Sequence, residues 1–119
     1  MEMAQEPVPV RLVPPSSLTE LDLLEKSPDH SIDVTTASVI VVPANKARTA
    51  CWFVNDSDTT IYLNIGKDAV VNQGIRLNAA GGFWEINKFN LTRNYITAIH
   101  GSTGNKRLCI IELESRYAA

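Results

Sequence analysis

Cysteine and histidine are scarce in this 119-residue chain: two of each, Cys51, Cys109, His30 and His100. Two cysteines make no disulfide framework, and both read as packing thiols, although a single bridge between them is geometrically open. Neither histidine has a spaced Cys, Asp or His partner of the kind a zinc site needs. No apolar run approaches the ~18–20 residues that span a bilayer. The run Val39 to Val42 suits one buried strand. There is no Gly-x-Ser-x-Gly elbow, so no catalytic residue, metal or cofactor is expected. Glycine is absent before Gly66 and aromatic residues before Trp52, while five of the six prolines lie in the first 28 positions.

What is present divides along the same line. Residues 1–33 hold seven acids and two bases, net −5; residues 34–119 hold six acids and nine bases, net +3. The division predicts a proline-rich acidic arm over 1–33 and a folded body over 34–119. A +3 body lacks the basic stripe that nucleic acid requires.

In the arm, Pro7-Val8-Pro9-Val10-Arg11-Leu12-Val13 is extended, because proline fixes φ and biases its predecessor. It is also more apolar than most disordered tails, which marks it for docking on a partner chain. Ser17-Leu18-Thr19-Glu20 reads as a capping box. Leu18, Leu21 and Leu24 follow at helical spacing, predicting a short helix over about 18–26 that Pro28 closes. So short a helix does not stand alone in water, and its leucine face must pack on something. The expected partner-binding residues are therefore Pro7, Pro9, Val10, Leu12, Val13, Leu18, Leu21 and Leu24.

From Val34 onward the pattern is that of strands. Strands are expected over 36–42, 48–55, 59–65, 75–77, 83–86, 95–100 and 108–114, with turn residues between them. Asn55-Asp56-Ser57-Asp58 predicts a hairpin turn between the second and third of these, and Gly101 to Asn105 another before the last. The expected fold is all-β: a small antiparallel sandwich or barrel, jelly-roll-like, with six to eight short strands. Asn55, Asp56 and Asp58 fall short of the oxygens a calcium site needs. Gly101 to Lys106 lacks the spacing of a phosphate loop. Lys46 with Arg48, Lys88 with Arg93, and Lys106 with Arg107 read as solvated bases near strand ends, available to an acidic arm. Trp84, Tyr62 and Phe83 are the candidates for a carbohydrate-stacking platform.

Val42-Pro43-Ala44-Asn45, the run Arg48 to Leu63, the run Gly74 to Glu85, and Tyr95 to Ile99 with the turn and strand after them resemble small virion proteins of tailed bacteriophages. The resemblance covers about 42–114 and leaves out the arm. It implies a β-sandwich building block without catalytic residues, made in the host cytoplasm and resident in the virion. The leading expectation is a capsid decoration or cement protein that docks on the major capsid protein, or on a neighbour, through its arm. It would form a homo-oligomer, with a trimer as the working guess. A neck, tail or fibre-anchoring component is the alternative, and a carbohydrate- or receptor-binding module a further one. On this reading, deleting residues 1–33 leaves a folded body that no longer binds particles.

Overall fold

The computed structural model describes residues 26–115. The expected helix over about 18–26, and all eight expected partner-binding residues, lie outside the described residues except for Lys26. Eight strands follow in order: β1 (Ile32–Val34), β2 (Val39–Val42), β3 (Arg48–Asn55), β4 (Ile61–Ile65), β5 (Ile75–Leu77), β6 (Gly82–Ile86), β7 (Ile96–His100) and β8 (Lys106–Glu114). They form two four-stranded antiparallel sheets. Sheet A runs β1-β8-β3-β6 and sheet B runs β2-β7-β4-β5. The fold is thus all-β and sandwich-like.

Alternation places the core. In β3, Cys51 and Phe53 point inward while Trp52 points out. In β8 the inward set is Leu108, Ile110 and Glu112. Sheet B answers with Ile61, Leu63, Leu77, Ile96 and Ala98. Trp84 packs on this core from β6, its ring centroid 5.3 Å from that of Phe53. A register shift between Ile40 and Val42 lets Val41 and Val42 both be buried, which strict alternation forbids.

Two expected hairpins are corners between sheets instead. β3 lies in sheet A and β4 in sheet B, so Asn55 to Thr60 crosses from one sheet to the other. The same holds for Gly101 to Asn105, which links β7 to β8. Short polar residues satisfy a corner as well as a hairpin, and the pairing partner is set by the fold around them. Asn55 shows how. It is fully buried, and its side-chain amide donates to the carbonyls of Thr59 at 2.7 Å and Leu77 at 3.0 Å. Its carbonyl oxygens accept from the Ser57 hydroxyl and the Gly81 amide, tying the β5–β6 turn to the same corner. His100 closes the other corner: Nδ1 accepts from the Ser102 amide, and Nε2 donates to the Gly104 carbonyl at 2.7 Å.

The sheet also begins earlier than composition indicates. Ile32 and Asp33 pair with Leu108 and Arg107, and bridges at Lys26–Glu114 and Asp29–Ile111 carry the pairing upstream. Segment 26–34 is therefore an edge of sheet A.

Candidate docking surface

The clearest chemistry among the described residues sits where this edge meets the end of the core. Arg48 is fully buried. Its Nε donates to Glu112 Oε2 at 2.6 Å, and its terminal nitrogens donate to the carbonyls of Thr92, Asn94 and Pro43 at 2.7, 2.9 and 2.8 Å. The other oxygen of Glu112 accepts from His30 Nε2 at 2.9 Å. Asn45 joins by donating to Glu114 at 2.6 Å. A buried charge costs several kcal/mol unless paired and hydrogen-bonded, and here both partners are. Arg48 is thus not a solvated base open to an acidic arm, as its neighbourhood in the sequence implied. It knits the 43–47 and 92–94 loops to sheet A. Nothing in composition marks it, because buried arginine is rare. The one sequence signal was the parity of Glu112 with Leu108 and Ile110.

A cleft of about 660 Å³ opens over this network, lined by Lys26, Pro28, His30, Asn45, Glu112 and Glu114 among others. Glu112 is shared between Arg48 and His30, and Glu114 accepts from Asn45, so the cleft wall acts as a joint. It fixes segment 26–31 by side chain and backbone together. The Glu112 amide donates to the Pro28 carbonyl, the Glu114 amide to Lys26, and the His30 amide to Ile110, at 2.8–3.0 Å.

The two outer faces differ. Sheet B is partly covered by its own β4–β5 loop. Thr97, in the middle of β7, is buried and donates to the Lys67 carbonyl at 2.7 Å; Ala69 donates to Ser38 at 2.8 Å; Tyr62 donates to Asn72 at 2.8 Å. Sheet A has no such cover among the described residues. Trp52 is 43% exposed and Phe83 55% exposed, and Val54, Cys109 and Ile111 are partly buried beside them. Register makes these one patch: Trp52 faces Ile111, and Val54 lies between Cys109 and Phe83. Asp29, Ser31 and these residues border a groove of about 340 Å³. The Ser31 hydroxyl and amide hold the Asp29 carboxyl below its ordinary value, keeping this rim charged.

The remaining candidates are dispersed. Trp84 faces the core, Phe83 the outside of sheet A, and Tyr62 the outside of sheet B, so these three share no stacking platform. Cys51 points inward and Cys109 outward; both are free. Asp58 reaches Lys106 at 2.8 Å, and that hydrogen bond, with one from Thr59, holds its carboxyl below the usual value. Among the described residues no group of three or more His, Cys, Asp or Glu side chains could hold a metal ion. No family model, no curated protein and no solved structure matches the chain.

Proposed function

We propose that the protein is a non-enzymatic structural component of a bacteriophage particle, a decoration or cement protein that docks by its N-terminal arm. The observation that carries this reading is the anchoring of segment 26–31. Four backbone hydrogen bonds and the His30–Glu112 contact fix the point from which the 25 preceding residues leave. An arm so anchored transmits load to the body, which a loose tail does not. The strand order supports the same reading. The pairs β1-β8-β3-β6 and β2-β7-β4-β5 are the order of an eight-stranded jelly roll, an architecture common in capsid proteins. It serves other functions too, so the order supports an architecture and the anchored arm supports the role.

In this role Pro7, Pro9, Val10, Leu12 and Val13 lie extended against the major capsid protein, adding contacts where proline leaves carbonyls free. The test is co-sedimentation with particles lacking the protein. The full chain should bind in hundreds of copies, and a chain starting at Lys26 should not bind. Retention by the truncated chain overturns the arm's role. Binding of about a dozen copies would move the protein to the neck or tail.

A further inference from the structure

We infer that the bare outer face of sheet A is the seat of the Leu18–Leu24 segment of a second copy of this chain, so that copies are joined by exchanged arms. Three observations converge. The face carries an apolar patch over three adjacent strands, with Ile111 and Cys109 on β8, Trp52 and Val54 on β3, and Phe83 on β6, and with Glu85 beside Trp52 at its margin. Sheet B's outer face, by contrast, is partly occupied by its own loop. The dimensions agree: Leu18 to Leu24 covers about 9 Å along a helix, and β8 to β6 is about 10 Å across.

The third observation decides whose leucines arrive. Lys26 is already paired with Glu114, donating at 3.4 Å and accepting at 2.8 Å. A helix that packs back on its own sheet needs a connection of about 2–6 residues. A helix ending near residue 26 leaves none. On that expectation the leucine face has no connection with which to fold back, and it is offered to a neighbour that presents the same patch. Reciprocal exchange closes a symmetric assembly.

The inference rests on the arm acting as a docking element, but not on the particle. Self-association is read in purified protein and particle binding on particles, so each can fail alone. The natural thiol of Cys109 lies in the patch and supplies the probe. A Leu21→Cys, Cys109→Ser chain is co-expressed with a differently tagged parent chain and mildly oxidised. The expected result is a disulfide joining the two tags, mapped by peptide analysis to position 21 and Cys109. Leu21→Asp, at a position outside the described residues, should weaken self-association at least about tenfold and leave melting unchanged at dilutions where both chains are monomeric. Trp52→Glu should weaken it similarly. In a second variant, Leu21→Cys with Cys109 kept, a position 21–Cys109 link forming only within single chains would place the arm on its own sheet and overturn the inference. So would the absence of any such link together with unchanged association in Leu21→Asp.

Discussion

At the residue scale the most consequential pair is Arg48 with Glu112. Removing one partner leaves the other charge buried, which costs about 3–5 kcal/mol. Glu112→Ala should therefore lower unfolding free energy by about that amount in a urea titration. His30→Ala leaves Arg48 paired and loses only one hydrogen bond, so it should cost about 1–2 kcal/mol. The two cysteines make a sharper contrast. Burial, then the nearby Glu112 charge, pushes the Cys51 thiol up to about 12. The unfolded thiol ionises near 9.0, so between these values the folded state holds a proton the unfolded state has lost. Stability therefore falls as pH rises through that window, by up to about 1.4 kcal/mol per pH unit for this group. Cys51→Ala should flatten the alkaline slope by that amount while costing some packing at neutral pH. At pH 8 a maleimide should label Cys109 in the chain starting at Lys26, which has no arm to cover that face, and leave Cys51 untouched until the protein unfolds.

At the element scale the strands were largely legible in the sequence and their partners were not. β3 was readable to the residue, with its Cys51/Phe53 and Trp52/Val54 faces, because side-chain alternation is local. The corner after it was not, since Asn55-Asp56-Ser57-Asp58 would serve a hairpin equally well. What chooses the crossover is long-range: Asn55 must reach Leu77, and Asp56 donates to the Arg107 carbonyl. The edge segment was missed for a related reason. Lys26 to Asp33 is polar and proline-containing, and only its backbone, with His30 and Ile32, makes it a strand neighbour of β8. The β5–β6 turn supplies a test of local constraint. A Cβ on Gly82 would meet the carbonyl oxygen and amide nitrogen of Asn78 inside van der Waals contact, and both are backbone atoms that cannot swing away. Gly104 has positive φ but open space around it. Gly82→Ala should thus cost about 2 kcal/mol or more, and Gly104→Ala about 1 kcal/mol. Equal melting of the two variants would show that the turn relaxes freely.

At the scale of the whole molecule, the boundary between arm and body decides what can be cut away. Composition drew it at residue 33, where the acidic, proline-rich stretch ends. Pairing draws it at Lys26, because β8 would otherwise be an uncovered edge along most of its length. A chain starting at Val34 loses the bonds that Lys26, Pro28 and His30 make to β8, along with Ile32 and the His30 contact that satisfies Glu112. At about 1 kcal/mol for each backbone bond, plus about 1–3 for a half-satisfied buried carboxylate, the loss is roughly 5 kcal/mol. A body of this size has only about 4–13 kcal/mol in total. Each kcal/mol shifts the midpoint by about 4–8 °C in a domain this small. At dilutions where the full chain is monomeric, the chain starting at Lys26 should therefore melt within a few degrees of it. The chain starting at Val34 should melt at least about 20 °C lower, or fail to fold. Calorimetry of the three chains at pH 7 reads this directly. If the Val34 chain melted with the others, the edge segment would be an ornament, and the arm would have no rigid root from which to act.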